Sequence, residues 1–290
     1  METIESPARR LAKLLEGPDL LVMPCCFDAL SARLIERAGF PLTFMSGFAV
    51  SASRLAAPDT GLISYGEMLD QGRSICGAVR IPVIGDADTG YGNPLNVKRT
   101  VEGYARAGFA AAMIEDQLAP KRCGHTRGKE VVSRDEAALR IQAAVEAREA
   151  GSDILILART DARAGHGLDE ALERCRLFAD LGADILFLEA PRSEAEMRLF
   201  CESLPGIPKM ANIVEDGDTP ALAPARLEAI GYRIAAYPLS LLSAAVCAMQ
   251  EALAALRMGR PVERRVAFEE LRAVVGFPEY DAALARFRSS

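Results

Sequence analysis

Pro82-Val83-Ile84-Gly85-Asp86-Ala87-Asp88-Thr89-Gly90-Tyr91-Gly92-Asn93-Pro94 starts as a short apolar run, reaches two closely spaced aspartates, and then turns through glycines to a proline. A run this short, bounded by turn-forming residues, reads as a buried strand over Pro82 to Gly85. The residues after it, Val97 to Ala107, have helical spacing and stop at Ala107-Gly108, a glycine helix terminator. Strand, polar turn, helix and glycine stop form one unit.

The unit recurs along the chain. Seven further apolar segments follow the same rule: Leu20 to Pro24, Leu42 to Met45, Ala111 to Ile114, Ile154 to Ala158, Ile185 to Leu188, Pro208 to Ala211 and Ile234 to Tyr237. Amphipathic stretches lie between them, including Ala29 to Ala38, Arg134 to Ala150, Leu168 to Leu181 and Ala223 to Ile230. Further glycine stops stand at Gly39, Gly151, Gly182 and Gly231. Eight such units predict an α/β fold, a (β/α)8 TIM barrel. An open doubly wound sheet shows the same alternation, so the residues at the strand ends have to separate the two. Those are Asp28, Ser46, Asp86 with Asp88, Glu115 with Asp116, Arg159 with Asp161, Glu189 and Asn212. In a barrel they converge on one mouth, where this fold places its chemistry. Helix capping accounts for Asp28 and Asp161. It does not call for Glu, Arg and a doubled Asp.

More helix follows the eighth strand than a barrel needs: Leu241 to Met258, Val266 to Val275 and Asp281 to Phe287. We therefore read 1–290 as a single barrel domain with 241–290 as its helical extension, suited to packing on a neighbouring subunit or back on its own barrel. Half of the 290 residues are hydrophobic and 6% are aromatic, enough for a large aliphatic core. The seven cysteines are odd in number and form no CxxC pair, and no charged-then-apolar leader opens the sequence. A reducing, cytoplasmic setting is expected. No apolar run approaches the roughly 18 residues of a membrane span. The formal charge of −6 argues against a polyanionic partner. The expected partner is a small molecule rather than nucleic acid or membrane.

Lys121-Arg122-Cys123-Gly124-His125 sets a thiol among cations, which suits a group that must deliver a proton to a carbanion. The plainer alternative is a small hydrophobe in a solvated loop. With only His125 and His166 in the chain, a multi-histidine zinc site is nearly excluded. Asp59, Asp86, Asp88 and Glu115 instead suit a hard cation that keeps several waters, Mg²⁺ or Mn²⁺. A loop of turn-forming aspartates is the structural alternative. Gly124 to Lys129 superficially suggests a phosphate loop but has one residue too few between its glycines, and Glu130 stands where Ser or Thr is required. Gln117 to Val132 reads better as a mobile lid whose cations close over an anionic substrate. His166 reads as a surface residue. Lys209, early in the seventh strand, falls nearer the wrong end of a barrel for Schiff-base chemistry.

Taken together, Ser46-Gly47, Pro58-Asp59, Gly85 to Gly92, Ile114-Glu115-Asp116-Gln117, Lys121 to His125, Ala158-Arg159-Thr160-Asp161 and Ala211-Asn212 resemble the isocitrate lyase and phosphoenolpyruvate mutase superfamily. The match runs in order from about Leu21 to the helix after Tyr237. The resemblance implies a modified barrel whose terminal helices swap between subunits, usually in a tetramer, with magnesium near Asp59, Asp86, Asp88 and Glu115. In the lyase branch the cysteine protonates the departing carbanion, so Cys123 points to carbon–carbon cleavage of a 2-hydroxy dicarboxylate. Lys121, His125 and Glu115 would be its catalytic companions, Glu115 or a metal-bound water serving as base. Ser46, Gly47, Gly124, Arg159, Glu189, Asn212 and Pro238 would contact the substrate.

Members that cleave isocitrate or methylisocitrate carry Arg directly after the motif's His and Tyr two residues before the Ser, where this chain has Thr126 and Phe44. Losing a guanidinium and a phenol suggests one charged arm fewer, as in 2,3-dimethylmalate and related alkylmalates. Arg127 could supply the missing cation, which keeps methylisocitrate open. Oxaloacetate hydrolases of the superfamily carry Ser where this chain has Pro238, and phosphonate mutases have no use for Cys123. A non-catalytic dicarboxylate-binding scaffold is the alternative outside enzymes.

Overall fold

The computed structural model describes residues 5–123 and 128–288. It opens with α1 (Pro7–Glu16), β1 (Leu21–Cys26), α2 (Ala29–Arg37), β2 (Thr43–Met45), α3 (Gly47–Leu55), α4 (Tyr65–Ala78), β3 (Val83–Asp86), α5 (Pro94–Ala107) and β4 (Ala111–Glu115). Then come α6 (Arg134–Glu149), β5 (Leu155–Thr160), α7 (Ala162–His166), α8 (Leu168–Asp180), β6 (Ile185–Leu188), α9 (Glu194–Ser203), β7 (Lys209–Asn212), α10 (Pro224–Ile230) and β8 (Ile234–Tyr237). The chain ends with α11 (Ser240–Arg257), α12 (Phe268–Val275) and α13 (Phe277–Arg288).

All eight strands are parallel and hydrogen-bond in chain order, and β1 pairs with β8 to close the barrel. The alternation seen in the sequence therefore belongs to a closed barrel, not to an open sheet. Side chains alternate between the two faces of a strand. Met23, Cys25, Ile84, Met113, Leu157, Phe187, Met210 and Ala236 fill the interior, while the opposite residues meet the helices in a second, larger core. Leu11 of α1 belongs to the interior cluster, with Leu14 and Leu15 packed against it. Arg233, just before β8, donates to Leu14 O and Leu15 O at the end of α1 and so ties this helix to the barrel.

The five glycine stops all adopt positive φ, from 84° at Gly39 to 111° at Gly231, the left-handed conformation that ends a helix cheaply only in glycine. Asp28 caps α2 by accepting from Ser31 N at 2.7 Å. Asp161 also precedes a helix, but its carboxylate makes no cap and is drawn instead to Arg159 and Lys129. The capping reading holds for Asp28 and is corrected for Asp161.

The chain separates into two compact units, Met1–Ser240 and Leu241–Ser290. Within the second, Arg264 pairs with Glu251 at 3.0 Å and Arg272 lies over the Phe277 ring. No helix is long and apolar enough to cross a membrane among the described residues.

Candidate active site

The inward register that fills the barrel with Ile84, Met113, Leu157, Phe187 and Met210 places, two residues further on, Asp86, Glu115, Arg159, Glu189 and Asn212 at the mouth. A strand period of two thus converts five separated motifs into one ring. Residues of this ring line a cavity of about 70 Å³. Asp59, Asp86, Arg159, Glu189 and Asn212 give its walls polar groups. Phe44, Phe48, Met113, Phe187, Met210, Val214 and Leu239 make much of the rest apolar, and Cys123, Ser46 and Pro238 reach it too. Among the described residues Arg159 is the only basic side chain on its walls.

The acidic side is held by a tight loop. Asp88 sits at φ 49° and donates its N–H to Asp86 Oδ1 at 3.0 Å. Gly47 N donates to Asp86 Oδ2 at 3.2 Å, and a Cβ at Gly47 would stand 2.5 Å from that same oxygen, so only glycine permits the approach. Ser46 N donates to Cys26 O, while its hydroxyl caps α3. The Ser46 and Gly47 amides expected to meet substrate are therefore engaged within the protein here.

Burial, with Asp88 alongside, pushes the Asp86 carboxyl up to about 6. Burial likewise raises Asp59, against the pull of Lys121, and raises Glu115 well above the ordinary range despite the nearby Arg159. The Lys121 ammonium lies 2.6 Å from Asp59 Oδ1 and 2.7 Å from Asp88 Oδ1. Burial alone would lower the Lys121 pKa, but Asp88, Asp86, Asp59 and Glu115 override it and keep the ammonium charged. Glu115 Oε1 is buried without a hydrogen bond among the described residues.

Arg159 is enclosed by three carboxylates: Asp161 at 2.8 Å, Glu189 at 3.1 Å and Glu115 at 3.4 Å, with its guanidinium over the Phe187 ring. Asn212 donates to Glu189 Oε2 at 3.4 Å. Lys129 Nζ meets Asp161 Oδ1 at 2.8 Å, and against the cost of burial Arg159 and Lys129 hold Asp161 below its usual range. The lid cations expected to face a substrate anion thus face protein carboxylates instead, at Lys121 and Lys129. An ammonium beside several buried carboxylates gains more by joining them than by staying in solvent. Gly124, His125, Thr126 and Arg127 lie outside the described residues. His166 is exposed. Lys209 donates to Leu204 O and Ile207 O at the start of β7, away from the ring, and burial lowers its pKa.

Six buried carboxyl groups (Asp59, Asp86, Asp88, Glu115, Asp161 and Glu189) therefore share three described cations (Lys121, Lys129 and Arg159), an excess of three acidic groups over basic ones. Together with the orphaned Glu115 oxygen, this excess fits a divalent cation. No three His, Cys, Asp or Glu side chains come together as a metal cage among the described residues. A divalent cation held by this cluster would keep several of its waters.

Sequence reasoning passed over Phe48, Val214 and Leu239 on the cavity wall, because two stand on loops and one at a helix start, outside any strand register. It also gave Gln117 no role of its own beyond membership of a motif and the start of the lid.

A closed β/α barrel with an acid-rich mouth over a small cavity is the architecture of an enzyme acting on a small polar molecule. The phosphoenolpyruvate phosphomutase family profile matches residues 11–257. The chain is 43% identical over 273 residues to a 2,3-dimethylmalate lyase of Eubacterium barkeri, covering 93% of this chain and 94% of that one. It is 42% identical over 252 residues to a 2-methylisocitrate lyase of Aeropyrum pernix, covering 87% and 80%. A solved oxaloacetate acetylhydrolase, in complex with the inhibitor 3,3-difluorooxalacetate, matches with a TM-score of 0.93 at 38% identity over 96% of each chain. The chain belongs to the phosphoenolpyruvate mutase family, and the lyases among its relatives agree with the expected class, a carbon–carbon lyase.

Proposed function

We propose that the protein is a Mg²⁺-dependent lyase that splits a 2-hydroxy dicarboxylate of the alkylmalate type, such as 2,3-dimethylmalate, into pyruvate and a short carboxylate. The observation that carries this reading is the cavity wall, which combines the Cys123 thiol, the carboxylates Asp59, Asp86 and Glu189, a large apolar surface and a single described cation, Arg159. That surface suits alkyl groups better than a third carboxylate. The similarity to the Eubacterium barkeri enzyme supports the same choice.

Asp59, Asp86, Asp88 and Glu115 would hold the ion, directly or through water. When bound, Mg²⁺ supplies Lewis-acid charge to the C1 carboxylate and C2 hydroxyl of the substrate. Glu115, whose burial raises its proton affinity, takes the hydroxyl proton. The C2–C3 bond then breaks, C2 becomes the carbonyl of pyruvate, and the electron pair passes to the other fragment as an enolate-like dianion. Arg159 and Asn212 orient the two ends, and Cys123 gives its proton to C3. One proton is taken and one given, so the steps balance.

The test is pyruvate release from racemic 2,3-dimethylmalate and 2-methylisocitrate, alongside oxalate and acetate formation from oxaloacetate, each with Mg²⁺ or EDTA. The expected order puts dimethylmalate first in kcat/KM. A clear preference for methylisocitrate would mean that a third carboxylate is read after all, with Arg127 the first residue to examine.

Protons and metal compete for the same carboxylates. Because Asp86 titrates near about 6, Mg²⁺ affinity measured by calorimetry is expected to be level above about pH 7 and to fall about tenfold per unit below 6. Affinity unchanged down to about pH 5 would remove Asp86 from the site.

Residues 241–290 are the proposed oligomer contact. Within this unit α11 and α12 have no buried residue, and Leu253, Leu256, Phe268, Tyr280 and Phe287 expose apolar surface. A homotetramer follows as the expected state, to be read as four chain masses in sedimentation equilibrium. A monomer at assay concentration would refute it.

A further inference from the structure

Gln117 follows directly on the Glu115-Asp116 end of β4 and is 1% exposed. Its backbone is fixed from several sides. It bridges Val131 in antiparallel fashion, flanked by Leu118 N to Glu130 O at 2.8 Å and Val132 N to Asp116 O at 2.9 Å. Arg140 Nη1 donates to Gln117 O at 2.8 Å and to Glu115 O at 3.3 Å. Asp116 between them is anchored by Thr160 Oγ1 at 2.6 Å and Arg174 Nη1 at 3.0 Å. A side chain on so rigid a base points in one direction. That of Gln117 ends on the backbone of Arg122: Gln117 Oε1 accepts from Arg122 N and Gln117 Nε2 donates to Arg122 O, both at 2.9 Å.

The amide thereby grips both polar groups of one peptide residue, as a neighbouring strand would. The residue it grips immediately precedes Cys123, which is half-buried and lines the cavity. Only a primary amide at this reach satisfies a donor and an acceptor together, and the two partners fix which way round the amide lies.

We infer that Gln117 is a positioning residue for proton delivery, holding the Arg122 backbone so that the Cys123 thiol stays at the cavity wall. The inference rests on the lyase reading of Cys123 and adds a residue to it. Small displacements of a reacting group cost large factors in rate. Gln117→Met, which keeps length and volume but loses both bonds, is expected to lower kcat about 10- to 100-fold with KM within about twofold.

Two readouts separate positioning from a general structural role. If Gln117 acts through Cys123, adding Gln117→Met to Cys123→Ser should cause no further loss, because the acid it positions is already gone. The clamp can also be followed without turnover, by the rate at which iodoacetamide labels Cys123, mapped by mass spectrometry. Labelling is expected to be about tenfold faster in the Met variant as the segment loosens. An additive loss in the Ser background, an unchanged kcat, or unchanged labelling would each overturn the proposal. Should the Met variant fail to accumulate, Gln117→Asn, whose amide ends a methylene short of Arg122, takes its place with the same expectations. If the wild type releases no pyruvate from any substrate, the lyase reading fails, and the labelling rate still decides whether Gln117 holds Cys123.

Discussion

Cys123→Ser is expected to reduce pyruvate release by about 10²- to 10⁴-fold, the usual range for removal of a general acid, with KM nearly unchanged. Serine preserves the size of the side chain, so the cavity bounded by Phe44, Met113 and Pro238 should keep its shape. What changes is acidity: a hydroxyl is a far weaker proton donor than a thiol. The carboxylates lie on other elements, Asp86 on β3 and Glu115 on β4, so Mg²⁺ affinity in the Ser variant should match the wild type. Rate loss with retained metal binding would place the defect at proton delivery. A Ser variant within about threefold of wild type would show that the proton comes from elsewhere, and the assignment of Cys123 would fall.

Arg159→Met is expected to produce the largest loss of stability, about 3–5 kcal/mol, because it removes one partner from a buried ionic cluster and leaves the others uncompensated. Asp161, Glu189 and Glu115 all lie within 3.4 Å of the guanidinium. Lys129 would remain on Asp161, whereas Glu189 and Glu115 would lose the guanidinium that lies 3.1 and 3.4 Å from them. The sign with pH is fixed. Glu115 is already raised in the folded protein, and losing Arg159 raises it further, so the folded variant binds more protons than the unfolded chain. Stability in the variant should therefore improve as pH falls toward the carboxylate range and worsen as it rises. Urea denaturation at two pH values measures both effects. A shift under about 1 kcal/mol would mean that the cluster relaxes or hydrates more readily than its burial implies.

The barrel was legible because each strand is short, apolar and punctuated, and because period-two alternation makes the residue beyond each apolar run face the mouth. Asp86, Glu115, Arg159, Glu189 and Asn212 are all found by that rule. The helices outside the alternation were less legible: α1, whose Leu11 enters the barrel interior, and α3 and α4, both lying between β2 and β3. Side-chain pairing was not legible at all. Asp161 stands where a cap belongs, yet its partner Lys129 is 32 positions away, and no local pattern announces that ion pair. Lys121 was read as a cation for substrate, whereas Asp59 and Asp88 claim it, a result of burial and charge excess that only the assembled mouth creates. Gln117 shows the same limit, since an amide that clamps a backbone five residues on has no sequence signature.

The most direct test of carbon–carbon cleavage with protonation of the released fragment is turnover of 2,3-dimethylmalate in D₂O, followed by NMR with and without Mg²⁺. The account predicts pyruvate and propionate in equal amounts, only with the metal, and one deuterium at carbon 2 of the propionate. Product formation without metal, propionate lacking deuterium, or turnover of oxaloacetate alone would contradict it.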